Sequence, residues 1–88
     1  LFLHIGGDAV IPVAEIIAVI KLAKNQSPLN SEFLKTAEEE GFVIQLEKKP
    51  ISAVITAEKV YLSPISVQTL HKRVRQKYPQ RKLSVKES

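Results

Sequence analysis

The sequence predicts an α+β domain: a small, mostly antiparallel sheet of about six short strands with two helices. Three observations lead there. Short apolar, β-branched runs recur between clusters of Gly, Pro, Asn and Ser. Two other stretches space their apolar residues three and four apart, as a helix does. The chain has 88 residues, of which 44% are apolar, enough for one core and one domain.

The opening, LFLHIGGDAVIP, poses a choice between a ligand-binding glycine loop and a turn. Residues 1–5 are strand-like, and residues 8–12 resume with β-branched residues and end at Pro12. Gly6 and Gly7 adopt positive φ at little cost, as a tight hairpin turn requires. A loop that cradles phosphate needs a longer glycine pattern opening onto a helix. A β-branched run follows here instead, so a hairpin is expected. His4 falls mid-strand on the face of Phe2, with no second His or Cys nearby at metal spacing. A packed or interface histidine is expected there.

Residues 16–21, IIAVIK, form an apolar run that pattern alone leaves open between helix and strand. Its β-branching favours a central strand buried on both faces. A polar connection follows over 23–29. The first helix starts at Ser27-Pro28 or at Asn30-Ser31, because short polar side chains cap free N–H groups and proline suits the first turn. Phe33, Leu34 and Ala37 form its apolar side, and Gly41 ends it. The carboxylates of Glu38, Glu39 and Glu40 point in different directions around a helix and converge poorly on one ion. They read as a solvated acidic turn.

Residues 42–46, 51–56 and 59–62 read as three strands of a meander, the first two joined by the charged turn Glu47-Lys48-Lys49-Pro50. Ser63-Pro64-Ile65-Ser66 launches a second helix over 66–77. Val67, Leu70, Val74 and Tyr78 lie at i, i+3, i+7 and i+11 and make one narrow apolar stripe. Lys72, Arg73, Arg75 and Lys77 occupy the rest of the circumference, and Pro79 stops the helix. A single domain over 1–78 is expected, followed over 79–88 by a basic disordered tail.

Composition narrows the function. A domain of this length buries only about 60–65% of the surface its unfolded chain exposes. The sequence has no cysteine, so neither disulfide nor thiolate metal site supports it. Part of the core is expected to be shared between subunits. No apolar run approaches the roughly 20 residues of a membrane span, and the first twelve residues lack the basic head and long apolar stretch of a secretory leader. An intracellular, cytoplasmic protein is expected. Net charge is +4, unevenly placed: residues 1–44 carry three basic and six acidic side chains, net −3, and residues 45–88 carry ten and three, net +7. A basic half of this kind suits nucleic acid or an anionic membrane, or is simply a solvated surface.

No enzyme constellation is legible: there is no cysteine nucleophile, no serine beside a histidine pattern and no paired carboxylates between glycine turns. No catalytic residue, cofactor or metal is expected. Two basic groups remain. Lys48 and Lys49 sit at a hairpin tip, and Lys72, Arg73, Arg75 and Lys77 ride on the second helix. Cationic side chains that neutralise phosphates release counterions, which suits both groups to duplex DNA. Neither is interleaved with aromatics, which argues against stacking on single strands. The basic helix lacks a broad apolar face, which argues against a membrane.

FLHIGGDAVIP, EIIAVI, EFLKTAEEEGFV and KVYLSPISVQTLHKR together resemble the Rem family of bacterial extracellular-matrix (biofilm) regulatory proteins, nearest its RemB branch, over roughly residues 2–75. The resemblance implies more than composition does. The RemA branch is associated with DNA binding, with transcriptional activation of matrix genes and with assembly as a closed ring. A ring multiplies weak phosphate contacts by avidity. RemA-type chains carry an arginine just after the second strand and an arginine pair in the loop before the fifth. Glu15 and Lys48-Lys49-Pro50 stand at those places here. Glutamate repels phosphate, and lysine does not reproduce the planar arginine fork.

The expectation is therefore a homo-oligomeric, nucleoid-associated regulator that contacts double-stranded DNA through Lys48, Lys49, Lys72, Arg73, Arg75 and Lys77. The alternative is an oligomeric protein-interaction module, alone or with a protein partner in a mixed oligomer, that does not itself bind DNA. An RNA-binding chaperone is a third reading.

Overall fold

A computed structural model of the chain describes residues 2–23, 28–77 and 85–86. Strands β1 (Phe2–Gly6) and β2 (Ala9–Pro12) pair antiparallel as a separate two-stranded sheet. A single 3₁₀ turn, Val13–Glu15, leads into β3 (Ile16–Lys21). Then come α1 (Pro28–Glu39), β4 (Val43–Gln45), β5 (Ser52–Thr56), β6 (Val60–Ser63), α2 (Val67–Lys77) and β7 (Val85–Lys86). The expected α+β class, the two helices and the mainly antiparallel pairing are all present. The second sheet runs β4-β6-β5-β3-β7, with parallel pairing at β4–β6 and β3–β7. Val85–Lys86 lie within the segment read as a tail. Residues 78–84, which include Tyr78 and Pro79, and residues 87–88 lie outside the described residues.

The meander is corrected. β4 does not pair with β5; β6 inserts between them, antiparallel to β5 and parallel to β4. The ends of the intervening loop show why. Leu46 N–H donates to Leu62 O (3.0 Å) and Ile51 N–H donates to Ser63 O (2.8 Å), so both ends of the loop bond to β6 rather than to each other. Pro50 has no N–H with which to close a β4–β5 ladder. The six-residue link over 46–51 spans the width of the strand between, roughly 10 Å.

The large sheet has two covered faces. Because side chains alternate, Val19, Val54 and Tyr61 point to one side, against α2 and the β1–β2 hairpin. That core holds Leu3, Ile5, Ile11, Val13, Val67, Leu70 and Val74, all buried. Ile20, Ala53 and Val60 point to the other side, with Ala37 of α1 and the half-buried Leu34 over them. The apolar stripe of α2 is thus its buried face, as its spacing requires. β3 is buried on both sides at Ala18, Val19 and Ile20, as expected of a central strand, but Ile17 is 56% exposed at the register shift between Ile16 and Ala18.

Local chemistry sets the helix ends. Ser66 Oγ accepts from Thr69 N–H (3.1 Å), an N-cap on the first turn of α2. At the end of α1, Gly41 has φ +79°, its N–H donates to Glu38 O (3.1 Å), and Phe42 N–H donates to Ala37 O (2.9 Å). This pair of bonds is the Schellman closure, and it needs the left-handed residue that glycine supplies. Glu38, Glu39 and Glu40 are all exposed at this end. Among the described residues, no helix is long and apolar enough to cross a membrane.

Candidate nucleic-acid interface

The glycine pair builds the centre of the site. The hairpin register shifts between His4 and Gly6, and the chain turns through Gly6 (φ +130°) and Gly7 (φ +55°). The turn is packed at Gly6, which is buried, and exposed at Gly7. A Cβ on Gly6 would lie 2.6 Å from Pro64 Cδ and 3.7 Å from a Leu46 methyl, and one on Gly7 would lie 3.6 Å from Leu46 O. Ser63 fastens the same corner: its Oγ donates to Ile5 O and accepts from Ile65 N–H (3.0 Å). The turn is therefore wedged between the loop that begins at Leu46 and the Ser63–Ser66 segment that leads into α2. As the glycine pattern predicted, Gly6 and Gly7 form a turn.

Lys48 and Lys49 follow closely on Leu46, which touches this turn, whereas the basic residues of α2 begin eight residues past Pro64. Lys48 and Lys49 are exposed, two and three residues beyond Leu46. Their loop is braced by the Gln45 side-chain amide, which donates to Glu47 O (2.9 Å) and Lys48 O (3.3 Å). These two bonds from one amide tie the loop backbone at Glu47 and Lys48, and both lysines are exposed on it. On α2, Lys72 and Arg75 are exposed and three residues apart, hence neighbours on one face. Lys77 is the last residue of α2, and its side chain lies outside the described residues.

Arg73 behaves differently from its neighbours. It follows Leu70 by three positions and precedes Val74 by one, so it borders the buried stripe. It is half-buried, and its guanidinium Nη1–H donates to His4 O (3.1 Å) across to β1. The arginine therefore clamps the hairpin to α2 as well as adding charge. The helical spacing contained this signal: a residue at i+3 from a core leucine lies beside the seam, not opposite it.

His4 was expected to be packed or at an interface. It is exposed within this chain, and its Nε2–H donates to Gly7 O (2.7 Å), pinning the ring across the turn. No sequence signal marked that bond, because it depends on the bulge that brings Gly7 back over the strand. Glu15 is exposed in the 3₁₀ turn that follows β2. It lies at the open end of the hairpin, where Phe2 pairs with Pro12, and so on the order of 10–15 Å along the strands from the glycine turn. Glu15 is thus separated from the glycine turn by the length of the hairpin.

Chemically, the arrangement is three exposed ammonium groups, Lys48, Lys49 and Lys72, the exposed guanidinium of Arg75, and the guanidinium of Arg73 engaged on His4 O. Charges of this kind suit phosphate oxygens, and the planar fork of Arg75 is also able to form bidentate contacts. Among the described residues, no cluster of three or more His, Cys, Asp or Glu side chains is placed to hold a metal ion.

Comparison with known proteins adds two findings. Residues 2–74 match the RemA-like family, described as extracellular matrix regulatory protein A-like. The extracellular matrix regulatory protein B of Bacillus subtilis (strain 168) is 34% identical over 73 residues, covering 83% of this chain and 89% of that relative.

Proposed function

The chain belongs to the RemA-like family of extracellular matrix regulatory proteins, and from that premise we propose that it regulates matrix genes by binding duplex DNA as a homo-oligomer. A regulatory family, not an enzyme family, is the frame for this reading. One observation carries the DNA part: Leu46, which begins the Lys48–Lys49 loop, and Pro64, which precedes α2, pack on the same glycine turn, on the side of the sheet opposite α1. Lys48, Lys49, Lys72 and Arg75 neutralise phosphates, Lys77 extends the charge along α2, and Arg73 holds α2 and the hairpin in register beneath them. Repetition of this weak surface around a closed ring, the assembly the family resemblance implies, raises its effective affinity without new contacts. The proposed location is the cytoplasm, on the nucleoid.

Fluorescence anisotropy with labelled duplex at several salt concentrations tests the reading. Binding should weaken steeply with salt, with a slope of roughly −0.9 per phosphate neutralised. Changing Lys48, Lys49, Lys72 and Arg75 together to glutamine should flatten that slope and weaken binding across sequences. Unchanged affinity and slope in this variant would sink the assignment.

A second reading is favoured by the engagement of Arg73 with His4 O and by the exposed Glu15. In it, the chain is an oligomeric protein-interaction module, and a protein partner in a mixed oligomer contacts DNA. Co-purification with a DNA-binding partner, together with no affinity of the pure chain for duplex at low salt, would select this reading. Preference for structured RNA over duplex in competition would select the RNA-chaperone reading.

A further inference from the structure

The two helices expose opposite kinds of surface. α1 mixes its signs: Glu32, Lys35, Glu38 and Glu39 are all exposed, with Lys35 three residues from Glu32 and Glu38 and four from Glu39. Opposite charges at that spacing support a helix that faces only water. α2 does the reverse. Residues 67–77 hold four cations and no acid. Lys72 and Arg75 are exposed like charges three residues apart, which weakens a helix left in water and suits one that meets an anion.

The other exposed positions of α2 are Gln68, Thr69 and Gln76. Thr69 Oγ1 is already engaged by Ser66 Oγ (2.9 Å). Gln68, Lys72, Arg75 and Gln76 fall at i, i+4, i+7 and i+8 and so share one face, opposite the buried stripe of Val67, Leu70 and Val74. Gln45 ties its amide to its own loop, whereas Gln68 and Gln76 make no hydrogen bond to another described residue. The helix beneath them is fixed at its first turn by the Ser66 cap and farther along by Arg73 on His4 O.

We infer that α2 lies in the major groove of duplex DNA, where Gln68 and Gln76 read adenines. The inference rests on the DNA part of the function proposed above and adds to it the residues that read sequence. A helix is about 10–12 Å across with its side chains, and the major groove is about 12 Å wide. Adenine presents there a donor, N6–H, beside an acceptor, N7, and a glutamine amide meets both at once. Lys72 and Arg75 keep their place on the phosphates that line the groove. Eight residues of helix set the two amides about 12 Å apart. At about 3.4 Å per base pair, the two adenines stand about three to four pairs apart.

The test is selection of the full chain on a random duplex library, followed by anisotropy on the selected duplex, on its single-pair changes and on an RNA duplex of the same sequence. It compares the wild type with Gln68→Ala, Gln76→Ala and the double change Lys48→Gln with Lys49→Gln. Both glutamines are exposed, and far-UV circular dichroism checks each fold. Support is a selected sequence with two adenines at that spacing, each favoured about 5- to 150-fold, as one bidentate pair discriminates. Each glutamine variant should lose the preference at one of the two positions and keep the salt slope. The lysine variant should lower the slope and keep the preference. A wild type that binds all duplexes alike overturns reading by α2 and leaves phosphate binding standing. So do glutamine variants that keep the whole preference or weaken every duplex equally. Equal or tighter binding to the RNA duplex overturns it too, because the A-form major groove is too deep and narrow to admit the helix. No binding of any duplex at low salt overturns the DNA reading itself, and this inference with it.

Discussion

Alanine at Gly6 and alanine at Gly7 are the same chemical change one residue apart, and the structure assigns them very different costs. Gly6 has φ +130°, a conformation that side-chain-bearing residues pay about 1–3 kcal/mol to hold. A Cβ there would also lie 2.6 Å from Pro64 Cδ and 3.1 Å from Pro64 Cγ. The proline ring has little freedom to yield, because Ser63 before it and Ile65 after it are tied together and Ser63 is tied to Ile5. Overpacking of this kind adds about 1–3 kcal/mol. Gly6→Ala should therefore cost about 2–6 kcal/mol, against a total stability of about 5–15 kcal/mol for a typical domain. Gly7, at φ +55°, has 3.6 Å to its nearest neighbour, so Gly7→Ala meets only the left-handed penalty of about 1–2 kcal/mol. For a domain of this size 1 kcal/mol shifts the melting temperature by about 4–8 °C. Thermal unfolding followed by circular dichroism, at one fixed protein concentration, should show Gly6→Ala melting at least about 10 °C below wild type and well below Gly7→Ala. Equal melting temperatures for the two variants would refute the placement of Pro64 against the turn.

Further outcomes follow from named bonds. Ser63→Ala strips a partner from Ile5 O and from Ile65 N–H inside the core and should lose about 1–3 kcal/mol in urea unfolding; a loss below about 0.5 kcal/mol would contradict that bonding. Arg73→Ala should cost about 1 kcal/mol and speed amide exchange along β1, and Arg73→Lys should restore charge but not the protection if the clamp on His4 O is what matters. His71 Nε2 is buried and, among the described residues, has no hydrogen-bond partner. His71→Leu should then be neutral or stabilising by up to about 1 kcal/mol in the same urea assay, and a clear destabilisation would reveal a partner for that nitrogen.

What the chain's order of residues determined by itself is its local structure. Val67, Leu70 and Val74 at helical spacing are 4%, 0% and 0% exposed, because that spacing leaves a helix one way to hide them. Gly6-Gly7 turned, Gly41 closed α1 and Ser66 capped α2, each through backbone geometry or a bond reaching only a few residues. The six basic positions were equally legible as charge. Tertiary structure decided everything that depends on which segments become neighbours. A period of two says which face a strand residue takes, not which strand lies beside it, so the insertion of β6 between β4 and β5 was invisible in residues 42–62. The same limit hid the separation of the hairpin into its own sheet, the reach of Arg73 to a carbonyl 69 residues away in sequence, and the meeting of Leu46 and Pro64 at one glycine turn. Helix signals are short-range because their hydrogen bonds are; sheet partners and interfaces are settled by long-range burial, which only the folded chain resolves.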